Sequence, residues 1–595
     1  LFSLLPDFKA NLILQPELPD PGAHDLIKGY VMTRISKPER HTKAADPDKA
    51  SCVAIDRRSL LQSAGAGAVL AGVGIWPGSA HAQAAPHFDL NIVMAPVDVA
   101  TLPLRTYNKK TPGPTMVVDP GGKLSVSLKN SLAPEAGDQV CPIEHNAFHG
   151  ANMTNFHTHG LHVSPDVSPS SGKDSDNIFL QVTPPDQVVP CDDTNVRIGG
   201  TDYLFDIPEN HPPGTFWYHA HKHGSTARQV ANGLAGPLII RDPEGFMPPY
   251  IANAKEDVFM IQLRDLTADI DDPRASRGDG TLAIVRADPD GGGEKNPTIV
   301  MRPGEVRRWR FINAATSADA FVNLNFSGGE DAPEVWQIAY DGLTLNKRIR
   351  VDPNDNSDPW NNPAALSPGN RTDFMVRVPG GTPSGEYLVA AGRPDGDVMM
   401  QDHDGADRGP TVMLLAAEPV GLTIKVEGDP VPDVWSENDT LPGPGQPPID
   451  VSEVSDTWKA EFYLNTSTGE HMINNKEFDG VVYKTMKLGT VEEWTVTNKN
   501  PFVHPFHIHV NPFFVTHING ESLADLPDDD PRKALMRWQD TIALPVATTN
   551  AAGDTVDGSI TFLSRYTKFT GKFVIHCHIL GHEDTGMMQA VEVIA

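Results

Sequence analysis

The chain has 595 residues, with 48 Lys+Arg against 77 Asp+Glu and a formal charge of −29 at pH 7. So acidic a chain repels nucleic acid and anionic membranes, so neither is an expected partner. Hydrophobic residues at 39% are enough for packed cores, which excludes wholesale disorder, and four Cys are too few for a disulfide-built scaffold.

From the N-terminus, no charged residue lies between Arg58 and Asp89. Arg57-Arg58-Ser59-Leu60-Leu61-Gln62 leads into an Ala/Gly/Val-rich stretch to Ile75-Trp76, and Ala80-His81-Ala82 then supplies a small-x-small cleavage site. Twin arginines before a weakly apolar run read as a twin-arginine export signal, which places the mature chain in the periplasm or outside the cell. The run is too short and Gly-rich for a membrane anchor, so no membrane association is expected after cleavage. Residues 1–85 are read as this signal plus an upstream extension; the part before Met32 reads as an over-extended reading frame. Cys52 leaves with the signal. In an oxidising compartment Cys141 and Cys191 could pair or remain separate thiols.

Beyond residue 85 the chain repeats itself. Gly121–Asn130 reads GGKLSVSLKN, Gly304–Asn313 reads GEVRRWRFIN and Gly489–Asn498 reads GTVEEWTVTN. Each is a turn Gly, an alternating strand and a closing Asn, and the three Asn are 183 and 185 residues apart. A second set agrees: GTFWYHAH from Gly214, GEYLVAAG from Gly385 and GKFVIHCH from Gly571. Period-2 patterns bounded by Gly, Pro, Asn and Asp, with no long helical period, predict an all-β chain of three consecutive sandwiches over 86–245, 246–425 and 426–595. Pro243–Pro249 and Pro430–Pro448 are the expected joints.

The repeats also locate the chemistry. In chain order, the first unit carries His157-Thr158-His159 and His219-Ala220-His221. The middle unit carries Ala390-Ala391-Gly392 where its neighbours have His-x-His, and reads as a spacer without ligands. The third carries His504-Pro505-Phe506-His507-Ile508-His509 and His576-Cys577-His578, followed by His582, Glu583 and Met587. On a strand, residues i and i+2 share a face, so each His-x-His pair delivers two imidazoles side by side while Cys577 points the other way. Cys with two His and a weak Met is the donor set of a blue-copper centre, and Cys577, His582, Met587 and His504 supply it. The pairs 157/159, 219/221, 507/509 and 576/578 leave eight imidazoles for a copper cluster. A single His-x-His pair is usually incidental, but four at equivalent places in two repeats are not. Structural zinc is a poor fit, because it takes four ligands in one, typically Cys-rich, cluster.

These four segments resemble the four copper motifs of the multicopper oxidases, a family that includes laccases and copper-efflux oxidases. The resemblance covers the chain from about residue 86 and implies three cupredoxin-like Greek-key β-sandwiches. It implies four copper ions: a type 1 copper on His504, Cys577, His582 and Met587, a type 2 copper on His157 and His507, and a type 3 pair on His159, His219, His221, His509, His576 and His578. Electrons would enter at His504 or His582, cross Cys577 to His576 and His578, and reduce dioxygen to water. Glu583 resembles an acidic residue the family places near the type 3 coppers, with Asp176 or Asp174 as a counterpart in proton delivery. His145, His149, His162, His211, His223 and His517 read as supporting or surface residues, and Met588 as core. The expected activity is laccase-like oxidation of phenols and aromatic amines. The alternatives are a cuprous or other metal-ion oxidase, for which Met399-Met400 with Asp402, His403 and Asp404 is a thin signal, and a non-catalytic copper-binding scaffold. A copper nitrite reductase would not need the four His pairs.

Overall fold

The computed structural model describes residues 85–595, apart from 98–102, 136–145, 188–194, 265–280, 318–320, 330, 353–361, 393–420, 437–438 and 529. The export segment, Cys52, Cys141, Cys191, His145 and the Met399–Asp404 stretch lie outside the described residues. Helix is confined, among the described residues, to short segments such as Thr226–Asn232, Pro249–Ala252 and Leu580–Asp584.

Three pairs of sheets follow one another. The first pair orders Leu104–Tyr107, His87–Ala95, Lys123–Asn130 and Gly200–Asp206 in one sheet, and Met116–Val118, Ala235–Ile240, Gly214–His219 and His157–His159 in the other. The later pairs repeat this scheme with extra strands. Lys123–Asn130, Val306–Asn313 and Thr490–Asn498 each run parallel to one neighbour and antiparallel to the other. Gly214–His219, Gly385–Gly392 and Gly571–Cys577 likewise each sit between two antiparallel partners. Parallel neighbours require crossover connections between the two sheets, which gives three cupredoxin-like sandwiches.

The repeated residues have a physical reason. Gly121, Gly304 and Gly489 start their strands at φ of +73°, +85° and +89°, a left-handed turn that a side chain resists. At the other end, the side-chain oxygens of Asn130, Asn313 and Asn498 each accept the backbone N–H two residues on. Their amides donate to Asn152 and Val182, to Leu366 and to Phe502 carbonyls respectively, so each Asn ends the strand and ties down the chain beyond it.

Lys123–Asn130 and Thr490–Asn498 alternate buried and less buried residues, as a strand with one wet face should. Val306–Asn313 is buried throughout. Its outward Arg308 and Arg310 both pair with Asp373 at 2.8 Å, and Arg310 also donates to Thr215 Oγ1 on the first unit's strand Gly214–His219. The middle sandwich is thus packed against the strand that leads into His219 and His221. One continuous apolar core joins the first and third sandwiches, from Phe156 and Tyr218 to Phe506, Phe562 and Cys577.

Candidate metal centre

The two outer units place their His strands alike. His157–His159 pairs antiparallel with Gly214–His219, setting His157 opposite His219. Pro505–Ile508 pairs antiparallel with Gly571–Cys577, setting His507 opposite His576 and Phe506 opposite Cys577. The two constructions face each other. His157 stacks on His509 with centroids 3.9 Å apart and rings within 9°, and His159 stacks on His507 at 3.9 Å and 8°. His576 Nε2 lies 3.2 Å from Nε2 of both His221 and His509. All eight paired imidazoles come together in one cavity, each at most 1% exposed.

Cys577 turns to the opposite side. Its Sγ is 3.5 Å from His504 Nδ1 and 3.7 Å from His582 Nδ1. Met587 is fully buried, and its carbonyl accepts from Cys577 N at 3.1 Å. Burial pushes the Cys577 thiol well up, so a cation beside the sulfur is needed to make the thiolate ligand. His504 is fully buried under Phe462 and Phe502, whereas His582 is partly exposed. Of the two edges considered for electron entry, His582 is therefore the accessible one. His471, a lone His with no motif to mark it, stacks on His582 at 4.4 Å and lies 2.9 Å from Thr585 Oγ1.

The cavity is built for cations. His157 Nε2, His159 Nδ1, His219 Nε2, His507 Nε2 and both ring nitrogens of His578 are buried without a hydrogen-bond partner. Leaving a polar atom so costs about 1–3 kcal/mol each, an arrangement that makes sense if an ion takes up the lone pairs. The opposite nitrogens are anchored. His157 Nδ1 donates to Asp176 at 2.9 Å, His219 Nδ1 to the Ala220 carbonyl at 2.9 Å, His507 Nδ1 to the Asp540 carbonyl at 2.8 Å, and His576 Nδ1 to the Cys577 carbonyl at 3.0 Å. Metal-bound imidazoles are held in this way. Desolvation, helped by neighbouring imidazoles, keeps His159, His219, His221, His509, His576 and His578 well below the usual imidazole range, so each is neutral with a lone pair to offer at pH 7. Imidazole and thiolate donors suit copper, not calcium or magnesium. The residues present fit the metal.

The three acidic residues considered for proton delivery separate. Asp176 accepts from His157 Nδ1, from Thr158 N at 2.7 Å and from Thr158 Oγ1 at 2.8 Å, so its carboxylate holds the His157 strand in place. Asp174 faces away, bound to Arg197 at 2.9 Å and Thr201 at 2.6 Å. Glu583 is fully buried, with Oε1 3.8 Å from His221 Nδ1 and 3.6 Å from His223 Nδ1, and Oε2 unpartnered. Burial, then Asp584, pushes its carboxyl well up, which favours its protonated form. Asp584 accepts the backbone N–H groups of Gly224, Thr226 and Ala227, pinning Leu580–Asp584 to the turn after His221.

Of the other His, His223 faces Glu583, while His162 N–H donates to His211 Nε2, away from the cavity. His149 lies beside Lys222 and His517 beside Thr516. Sequence reasoning missed Asp540, whose Oδ1 is 3.2 Å from His159 Nε2, and Arg371, which is bound to Asp540. Neither sits in a motif or repeat.

Comparison with known proteins agrees with this geometry. Residues 449–595 and 194–245 match two family models, both described as multicopper oxidase. A multicopper oxidase of Staphylococcus haemolyticus is 25% identical over 500 residues, covering 82% of this chain and 83% of its own. A laccase of Bacillus subtilis is 24% identical over 522 residues, covering 82% and 89%. Among solved structures, a laccase from Pediococcus acidilactici superposes with a TM-score of 0.57 at 23% identity, covering 86% of this chain and 90% of that one. A Campylobacter jejuni multicopper oxidase described as a metallo-oxidase gives 0.57 at 22%, covering 85% and 91%. With its fold, its two donor sets and these relatives in agreement, the chain belongs to the multicopper oxidases, copper-dependent oxidoreductases that use dioxygen.

Proposed function

We propose that the chain is a laccase-like oxidase that takes single electrons from phenols or aromatic amines and passes four of them to dioxygen, giving two waters. His504, Cys577, His582 and Met587 would hold the type 1 copper. His157 and His507 would hold the type 2 copper, and His159, His219, His221, His509, His576 and His578 the type 3 pair. Bound copper would supply the one-electron steps at the first site and the reduction of dioxygen at the second. The observation that carries the reading is the position of Cys577. Its Sγ lies beside His504 and His582, while its peptide neighbours His576 and His578 line the eight-imidazole cavity. One strand thus joins the two donor sets through a few covalent bonds. Donors would meet the partly exposed edge of His582, and buried His504 would stay out of reach.

A second reading, oxidation of cuprous or other metal ions, draws support from the acidic groups around Gly586, between His582 and Met587 in the chain. Glu477 packs against Gly586, next to Met587, and Glu470 adds to the upward shift that burial gives the Glu477 carboxyl. Two carboxylates there would favour a cationic donor. A non-catalytic scaffold is disfavoured, because all twelve donor positions are filled. Export of the folded, copper-loaded chain to the periplasm or beyond is proposed from residues 57–82. Among the described residues no helix is long and apolar enough to cross a membrane.

The test is dioxygen uptake by protein carrying four coppers, given an electron-rich phenol or, separately, Cu(I). Uptake with phenol alone is expected. Uptake only with Cu(I) would favour the second reading, and none with either would overturn both.

Glu583 is proposed to pass protons to the cavity, since it is buried, its carboxyl is pushed well up, and it lies within 4 Å of His221. Glu583→Gln keeps the shape and removes the acid. Dioxygen uptake is expected to fall by about 10²- to 10⁴-fold, the usual worth of a positioned proton donor. Reduction of the blue centre by donor without oxygen should be unchanged in stopped-flow; slowing of that step instead would remove Glu583 from proton delivery.

A further inference from the structure

We infer that Arg371, carried by the sandwich without copper ligands, is a positioning residue for the copper cluster: its guanidinium clamps Asp540 and so fixes the rings of His159 and His507. This rests on the copper assignment proposed above.

The middle unit was expected to be a spacer, yet it forms one wall of the cavity. Gly369, just before strand Arg371–Arg377, sits at φ +94°, and a Cβ there would lie 3.0 Å from the His578 ring and 3.2 Å from His159 Cε1. Glycine allows both the turn and the approach. Asn370 donates to the Thr541 carbonyl at 3.0 Å, which ties this turn to the third sandwich.

Arg371 is fully buried and every N–H of its guanidinium is engaged. Nε donates to the Thr215 carbonyl of the first unit at 3.3 Å, while Nη1 and Nη2 donate to the Gly369 and Asp341 carbonyls at 3.0 Å each. The remaining two form a fork onto Asp540, with Nη1 to Oδ1 at 2.8 Å and Nη2 to Oδ2 at 2.5 Å. A planar fork fixes a carboxylate in rotation as well as position, which a lysine cannot do.

Asp540 passes this constraint on. Its Oδ1 receives Thr541 Oγ1 at 2.8 Å and lies 3.2 Å from His159 Nε2, and its carbonyl receives His507 Nδ1 at 2.8 Å. One aspartate therefore holds the two rings that stack at 3.9 Å, leaving His159 Nδ1 and His507 Nε2 free for metal. Gly160 completes the arrangement, because a Cβ there would overlap Arg371 and Asp540. Arg308 offers an internal comparison. It is as deeply buried in the same sheet and donates twice to one oxygen of Asp373, but its carboxylate partners touch no cluster imidazole.

The experiment compares copper-loaded wild type, Arg371→Lys, Asp540→Asn and Arg308→Lys in the full chain. The readouts are copper per chain, the type 2 and blue spectroscopic signals, and competition by a graded chelator. Arg371→Lys is expected to keep the blue signal and to release type 2 copper at about 10- to 100-fold lower chelator strength, the usual effect of losing a partner that orients a metal ligand. Asp540→Asn should behave alike and serves if Arg371→Lys does not fold. Arg308→Lys should lower thermal stability without changing type 2 release, which separates positioning from general packing. Wild-type release in both Arg371→Lys and Asp540→Asn, or equal weakening in Arg308→Lys, would overturn the clamp. Wild type that takes up fewer than four coppers would instead overturn the copper assignment, and the clamp with it.

Discussion

Cys577→Ser is expected to abolish the blue signal and reduce donor-driven dioxygen uptake to background, while copper falls from four per chain to three. Cys577 has two separable jobs. Its sulfur faces His504 and His582, and its backbone continues directly into His576 and His578 on the other side of the strand. A serine hydroxyl at this buried position stays protonated and is a poor ligand, so the first donor set loses its only anionic member. The eight imidazoles keep their positions, because the strand pairing that sets them is made by backbone groups. The thiol is fully buried, and the unmatched hydroxyl costs about 1–3 kcal/mol, which a chain of this size should tolerate. Copper analysis, the visible spectrum and oxygen-electrode rates check the three parts together. A variant that keeps four coppers and the blue signal would show that the sulfur is not a ligand.

What could be read from the sequence was whatever repeats or is local. Asn130, Asn313 and Asn498 occupy the same place in three sandwiches and make the same turn, so their spacing alone aligned the units. The His-x-His pairs were legible because strand geometry fixes which residues share a face, and in the structure they meet. Residues whose roles depend on distant partners were not legible. Arg371 and Asp540 are 169 residues apart, His471 and Thr585 are 114 apart, and no motif marks Arg371, Asp540 or His471. The choice between His504 and His582 as the electron entry depended on Phe462 and Phe502 closing over His504, which only packing decides. Asp174 and Asp176 look alike in the chain, but the bend at Asp176 turns only that carboxylate towards His157.

The copper-free protein is expected to lose stability steeply as pH falls below about 6.5, the value of an imidazole in the unfolded chain. Desolvation is the first cause of a depressed imidazole at nine buried positions: His159, His211, His219, His221, His504, His507, His509, His576 and His578. His211 and His504 are each lowered to about 3. Below 6.5 the unfolded chain takes up protons that the native state refuses, so stability present above 6.5 is lost as the pH falls towards those native values. Each such imidazole contributes a slope of about 1.4 kcal/mol per pH unit. Five carboxyls act in the opposite sense. Burial raises Asp341 and Asp584 to about 6, Glu583 well above its ordinary value, and Glu477 and Glu492 upward, so they lose stability as pH rises from about 4. Nine imidazoles outweigh five carboxyls, and the net slope is positive between pH 4 and 6.5. Denaturant midpoints of the copper-free chain at pH 7, 6 and 5, followed by circular dichroism, should fall in that order. Copper bound to the neutral rings should raise the midpoint at every pH while protons compete with the metal, so that the loaded protein still weakens in acid but from a higher start. A copper-free midpoint that stays level down to pH 5 would mean that the imidazoles charge within the native fold, and the cavity would then be open to water.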